Sequence, residues 1–334
     1  RFDGETTRRL RLAGGASEAV RFDAVAMSVG TARVQMTIRL GGNSDAFEAT
    51  LPVIAPARPE VSAAFGDTID RAVERLAIPG GIVPTLGGLD VNLSSTALSG
   101  LGEGARYLSD YPYFCAEQKA SAALALGLAA DLGRTFSMGN IAPEDYRKKA
   151  AALFAELPKY QCDDGGFGYW PGGCRFGEAY LTSYLLHVMQ VGSGLGYEPD
   201  ADVVSRALDF LEAAVKRAAP LQVQWMPVWS ATNAFGVKVL AEHGRNQDSN
   251  ITRLVESADR LPIFALSYLA DAMIAANRAD PRYGDLIRRL TNAMRVEGDR
   301  AFVQEIDADA LSWIWNSNVR ATALVLEGLA RRGD

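Results

Sequence analysis

Two histidines, three cysteines and no long apolar run leave whole classes of function without material in this 334-residue chain. A membrane-crossing helix needs about 20 consecutive apolar residues, and no stretch approaches that. The opening, RFDGETTRRL, has neither an initiating Met nor a signal-like apolar core, so the sequence is expected to be an internal piece of a longer protein. Any membrane anchor would then lie outside it. A formal charge of −6 and the lack of a concentrated basic face argue against nucleic acid or another polyanion as partner. His187 and His243 stand apart from the paired cysteines, so no zinc set is legible and no cofactor is expected.

The few cysteines are informative. Cys162 and Cys174 bracket a glycine-rich loop, CDDGGFGYWPGGC, whose turns can bring their Cα atoms within bridging distance, and a disulfide is expected there. That implies an oxidising compartment. Cys115 is left over, and an odd cysteine in such a compartment is either paired elsewhere or special.

What is abundant is periodic. Between residues 1 and 58, RRLRLA, EAVRFDAVAM, ARVQMTIRL and FEATLPVIA alternate as strands do, with Gly-containing turns between them, which predicts an antiparallel β-sandwich. APARPE reads as a linker. Further strand-like runs, AVERLAIP and GLDVNLS, fall within 59–98. From 99 to 334 the chain becomes Ala- and Leu-rich at helical spacing. Helices are predicted near 99–109, 117–132, 143–158, 179–191, 200–217, 230–243, 250–258, 262–277, 281–295 and 317–332. AYLTSYLLHVM, SATNAFGVKVLAEHG, FALSYLADAMIAA and SNVRATALVLEGLARRG look alike, as the second helices of hairpins do in a repeat array. Their small residues suit the inner ring of a closed α/α toroid. The chain as a whole reads as multidomain and mainly α.

The chemistry concentrates in YPYFCAEQ, Tyr111 to Gln118. Glu117 opens a helical pattern, and a thiolate is favoured at a helix start by unpaired N–H groups and the macrodipole. Positions i and i+3 share a face, so the sulfur of Cys115 can meet the carboxamide of Gln118. Attack with loss of ammonia would close a thioester ring of about fifteen atoms, counted along the covalent path. These residues resemble the signature of the thioester-containing proteins, alpha-2-macroglobulins and complement components among them: Cys-x-Glu-Gln preceded by Tyr-Pro-Tyr. DGGFGYWPGG with AYLTSYLL, and WNSNVRATALVLEGL, are similar to further stretches of the bacterial members.

The resemblance implies a toroidal thioester domain over 99–334. It also implies a macroglobulin-like domain over 1–58 and part of a CUB-like β domain over 59–98. The whole protein would be a protease trap of the periplasm, and a lysine of the target protease would take the acyl group of Gln118 while Cys115 leaves. Other macroglobulin domains would be its intramolecular partners. Such a protein is a single-use inhibitor rather than an enzyme. Glu117, Tyr111, Tyr113 and Phe114 are supporting candidates, the aromatics as a shield against water. Where the family sometimes carries a catalytic histidine, this chain has WMPVWSATNAFG, with Trp229 and Asn233, so amine acceptors are expected over hydroxyls. Trp225 could join Trp229 across such a pocket.

Two rivals share the evidence. A terpene cyclase or prenyltransferase would use the toroid, but the acidic run at Asp307 and Asp309 lacks the needed cluster and reads as solvated loop. A cysteine acyl-transfer enzyme would need His187 or His243 as base. His187 lies on an apolar helix face and His243 at a helix end, where packing and capping are the ordinary roles.

Overall fold

A computed structural model describes residues 1–54, 60–64, 66, 68–75, 77, 80, 87–91, 93, 95, 97–136, 142–217, 219–298, 300–305 and 309–332. The chain divides into two compact units, Arg1–Val91 and Asn92–Asp334.

In the first unit, β1 (Gly30–Leu40) and β2 (Asn43–Val53) pair antiparallel in a hairpin, with Met36 opposite Phe47 and Val34 opposite Ala49. Alternation puts Val34, Met36, Ile38 and Phe47 on one face and Arg33, Gln35 and Glu48 on the other. Met36, Ile38 and Phe47 are nonetheless exposed, because no second sheet among the described residues covers them. Two of the four predicted strands thus form among the described residues. The RRLRLA and EAVRFDAVAM segments find no partner edge beyond an isolated bridge, Phe2 to Ala24. No strand forms among the described residues of 60–96. Residues 55–59 of the linker, and Asp307 of the acidic run, lie outside the described residues.

The second unit is helical. In order come α1 (Leu101–Ser109), α2 (Ala116–Leu132), α3 (Pro143–Glu156), α4 (Ala179–Gly194), α5 (Ala201–Ala214), α6 (Met226–Glu242), α7 (Asp248–Glu256), α8 (Ile263–Asn277), α9 (Tyr283–Asn292) and α10 (Asn318–Arg332). All ten predicted helices are present. The even-numbered helices pack side by side in sequence, α2 on α4, α4 on α6, α6 on α8 and α8 on α10, and the odd-numbered helices flank them. Burial explains the layering. Helix α8 is buried without interruption from Phe264 to Met273, as a helix enclosed on every side must be. Helix α9 buries only Leu286, Ile287 and Leu290, a single stripe. Small residues permit the close inner packing: a Cβ at Gly236 would lie 2.7 Å from Val215, and one at Gly192 would lie 2.5 Å from the Phe154 ring.

Two departures have local causes. Helix α6 begins at Met226 rather than near 230, because Pro227 falls in the first turn, where a missing N–H costs nothing. Helix α9 stops short of 295, and β3 (Met294–Glu297) turns through Gly298, at φ +64°, into β4 (Arg300–Val303).

Candidate functional site

Pro112 follows the end of α1, and Tyr111 to Phe114 run without regular structure to Cys115, which has extended φ and ψ and caps α2. The cap is reciprocal. The Cys115 sulfur accepts from the Gln118 backbone N–H, while Gln118 Oε1 accepts from the Cys115 backbone N–H at 3.3 Å. The two side chains thus share one turn, each bonded to the other residue's backbone. Ala116, fully buried, donates its N–H to the Tyr169 carbonyl at 2.9 Å.

Burial pushes the half-buried Cys115 thiol up. The N–H groups of Gln118 and Glu117 pull against it, and the Glu117 carboxylate adds to the rise.

Tyr113 and Phe114 are 61% and 64% exposed, because the segment carrying them runs along the surface before the helix starts. Tyr111 is half-buried between Tyr107 and Tyr113, with ring centroids at 5.4 and 5.1 Å. Further aromatics reach the start of α2 from elsewhere in the chain. Tyr160 donates its hydroxyl to the Phe114 carbonyl at 2.5 Å. Tyr169 is raised to about 12, by burial first and then by the neighbouring Glu178, Glu117 and Cys115. Its ring sits 6.4 Å from that of Trp315, which also meets Tyr180 at 6.1 Å. Trp315 is at φ +54°, a left-handed conformation unusual for so bulky a residue, at the end of the turn Asp309–Ile314. Arg320 gathers this side by donating to Tyr180, to Tyr268 at 2.7 Å and to the Ile314 carbonyl at 2.6 Å. Tyr160, Trp315 and Arg320 were not singled out in the sequence. The DGGFGYW and WNSNVR runs that contain or flank Tyr169, Trp315 and Arg320 were the available signal.

Tyr169 is held by its loop. Cys162 and Cys174 are bridged, with Cα atoms 4.8 Å apart. Gly165 takes φ +89°, and a Cβ there would meet the Arg206 carbonyl at 2.6 Å. At Gly168 a Cβ would press on both sulfurs. Asp164 accepts from the N–H groups of Gly166 and Gly177, and Phe167, fully buried, donates its N–H to Thr182 Oγ1 at 2.8 Å.

Beside Gln118, Lys119 pairs with Glu156 of α3 and lies 5.3 Å from the Phe114 ring centroid. Burial pulls this ammonium down, but the bond to Glu156 and the nearby Tyr160 raise it overall. The neighbouring amine is thereby kept protonated.

Trp229 and Asn233, in the first half of α6, are both engaged with Arg253. Asn233 donates to the Trp229 carbonyl at 2.9 Å and accepts from Arg253 at 3.4 Å, and the Arg253 guanidinium lies 5.7 Å from the Trp229 ring centroid. Trp225 pairs with Trp313. His187 lies midway along α4 and His243 caps the C-terminal end of α6, near a cluster of buried charges. There Lys238 pairs with Glu242 at 2.9 Å and Asp271 at 3.9 Å, and Arg331 reaches Glu242 at 2.9 Å. His187 is depressed to about 4 by burial and then by Lys238. His243 is also lowered, by burial first. Asp309 is exposed, as a solvated loop residue should be.

The arrangement is a mainly helical, hairpin-built domain with a cysteine and a glutamine locked together at one helix start. No family model matches the chain. It is 30% identical over 215 residues to an alpha-2-macroglobulin homolog of Nostoc sp., covering 62% of this chain and 11% of that protein. It is 27% identical over 243 residues to circularly permutated Ras protein 2 of Dictyostelium discoideum (68% and 6%) and 22% identical over 165 residues to alpha-2-macroglobulin of Rickettsia conorii (49% and 9%). The chain thus spans about a tenth or less of the curated relatives it matches. Native Escherichia coli alpha-2-macroglobulin from domain MG7 to the C-terminus superposes with a TM-score of 0.57 at 20% identity, over 70% of this chain and 36% of that one. Salmonella alpha-2-macroglobulin reacted with methylamine gives 0.54 at 17%, over 92% and 21%. Escherichia coli alpha-2-macroglobulin activated by porcine elastase gives 0.55 at 21%, over 70% and 20%. The chain resembles the bacterial alpha-2-macroglobulins, and its fold is that of their C-terminal region.

Proposed function

We propose that Cys115 and Gln118 form an internal thioester, and that the chain is the acyl-transfer part of a larger protease-trapping alpha-2-macroglobulin. The observation that carries this is the reciprocal cap, which holds sulfur and carboxamide on one turn. Attack of the thiol on the Gln118 carboxamide expels ammonia. A lysine amine of a bound protease later takes the acyl group, and Cys115 departs as a thiol. Support comes from the solved relatives of the same fold, one reacted with methylamine and one activated by elastase. In this reading the alternating helices are part of an α/α toroid. The uncovered apolar face of the β1–β2 hairpin belongs to a sandwich completed by other macroglobulin domains. The disulfide fits an oxidising compartment such as the periplasm.

The rivals lose specific parts. Cys162 and Cys174 are consumed by their bridge and cannot serve as zinc ligands. The imidazoles lie among Lys238, Glu242, Arg331 and Arg245 rather than beside Cys115, as a cysteine hydrolase would require.

The test is the intact mass of freshly purified protein, expected to fall short of the sequence mass by one ammonia. Methylamine should then add at Gln118 and free one thiol, and Cys115→Ala should abolish both. Peptide mapping reads the residue at 118. A glutamate there records prior hydrolysis, whereas an intact glutamine untouched by methylamine refutes the thioester.

A further inference from the structure

We infer that the cavity at the C-terminal ends of α4, α6, α8 and α10 is a binding site for a small primary alkylammonium ion. The inference stands apart from the acyl-transfer reading, since none of the residues it uses belongs to the start of α2.

The cavity measures about 310 Å³, and its polar lining is Gln190 of α4, Glu242 of α6, Asp271 of α8 and Arg331 of α10. Two of the oxygens there lack a partner. Asp271 is 5% exposed, and its Oδ1 is buried with no hydrogen-bond partner among the described residues. Gln190 Oε1 is in the same state. An acceptor buried unpaired costs free energy, a carboxylate most of all, so both oxygens call for a donor.

The cations nearby are already engaged. Lys238 donates to both oxygens of Glu242 at 2.9 Å and stays 3.9 Å from Asp271 Oδ2. Arg331 donates to Glu242 Oε1 at 2.9 Å and to Glu327 Oε1 at 2.6 Å. Arg278 reaches the Arg331 carbonyl rather than a carboxylate. Lys238 and Arg331 thus stand against Glu242, Glu327 and Asp271, two cations against three carboxylates, and one negative charge is left over. Burial raises Asp271 to about 6 in spite of Lys238 and Arg331, as befits a carboxylate short of a partner.

The helices add to the same field. Glu242, Ala275 and Arg331 lie in the last turns of α6, α8 and α10, and helix C-termini carry partial negative charge that favours a cation. An ammonium brings three donors and no acceptor, which suits Asp271 Oδ1 and Gln190 Oε1 together. A short alkyl stem would lie against Ala241, Ile274 and Ala275, the apolar part of the lining. A metal ion suits the site less well, because no group of three or more His, Cys, Asp or Glu among the described residues is placed to hold one.

The experiment uses the Cys115→Ala chain, in which no acyl chemistry can consume an amine, so its outcome leaves the thioester reading untouched. n-Butylamine hydrochloride is titrated by calorimetry at constant ionic strength and about pH 8, where Asp271 is ionised. Tetramethylammonium chloride, which has the charge without the donors, and potassium chloride are the comparisons. Butylammonium should bind saturably at one site with a Kd on the order of 1 mM, as suits so few heavy atoms, and the comparison ions should not. Asp271→Asn should weaken it roughly 10- to 100-fold, the worth of a hydrogen bond to a charged group, and Gln190→Leu by a smaller factor. Absence of saturable binding overturns the inference. So does equal binding of tetramethylammonium or potassium, which would mark a mere counter-ion. An unchanged affinity in both variants places the amine elsewhere and overturns it too. Should Asp271→Asn lose its helical circular dichroism, Gln190→Leu decides alone.

Discussion

Removing the Cys162–Cys174 bridge should cost the helical unit stability and loosen the start of α2 at the same time. The two cysteines are 12 residues apart. In the chain-entropy account, a loop of that size restricts the unfolded state by about 3 kcal/mol. The native contribution is local. The bridged loop presents the Tyr169 carbonyl to Ala116, while Gly168 donates to the Tyr160 carbonyl at 3.0 Å, which joins the loop to the segment behind Phe114. In Cys162→Ala/Cys174→Ala, urea unfolding followed by far-UV circular dichroism should therefore shift to lower denaturant by about 1 M or less, given the steep denaturant dependence of a large unit. Hydrogen exchange at Ala116 should speed up, as should methylamine coupling at Gln118. A loss under about 1 kcal/mol with unchanged exchange at Ala116 would refute the reasoning. It would show that Asp164, Thr182 and the glycine turns hold Tyr169 without the bridge.

Two further outcomes concern the buried charges. His187 has a folded value of about 4 against an ordinary 6.5, so the stability it contributes as a neutral ring is present above 6.5 and lost as pH falls toward 4. Asp271 runs the other way, raised to about 6 chiefly by burial, so its contribution is present below its ordinary value and lost as pH rises through 6. Across that window the two offset each other, and His187→Phe should gain about 3 kcal/mol relative to the unsubstituted chain between pH 7 and pH 4, measured by urea unfolding at each pH. A pH-independent difference would remove His187 from the balance. Lys238→Ala leaves Glu242 and Asp271 buried without their shared cation and should cost about 3–5 kcal/mol in the same assay. A loss below about 1 kcal/mol would mean that Arg331 alone satisfies both carboxylates.

Much of this was legible in the sequence, and the rest was hidden for identifiable reasons. The ten helices were readable because Ala and Leu recur at helical spacing and Gly or Pro marks the breaks, as at Gly133 and Pro143. The cap at Cys115 was readable because a helix start and a one-turn spacing are local facts. The aromatic surroundings were not. Tyr113 and Phe114 are apolar neighbours in sequence, yet both rings are largely exposed. Tyr160 and Tyr169, separated from Cys115 by two helices, bond to the backbone of Phe114 and Ala116, and Trp315, from the far end of the chain, stands against Tyr169. The contacts of Arg253 with Trp229 and Asn233 were hidden as well, because Arg253 comes from the next helix and counting along loops does not show it. Alternation alone did not separate ARVQMTIRL and FEATLPVIA, which pair as a hairpin, from RRLRLA and EAVRFDAVAM, of which only Asp23 to Val25 bonds to another segment, Arg1 to Asp3.

The dispersed surroundings of Cys115 bear on how a latent acyl group could be released. Had the shield been the YPYF segment itself, any change that exposed the sulfur would also have to unmake the cap joining Cys115 and Gln118. Here the two are separable. The cap belongs to α2 alone, whereas Tyr169 is held by the disulfide loop and Trp315 by a strained turn that Arg320 braces. A pull on the turn can move Trp315 while leaving the cap of α2 in place, whereas moving the loop also disturbs the bond from Ala116 to the Tyr169 carbonyl. Trp315 is the natural first mover: it is exposed enough to be reached, and leaving its left-handed conformation would relieve strain of about 1 kcal/mol or more. In the proposed trap, such a displacement would open the acyl group to an incoming lysine with the cap joining Cys115 and Gln118 still in place.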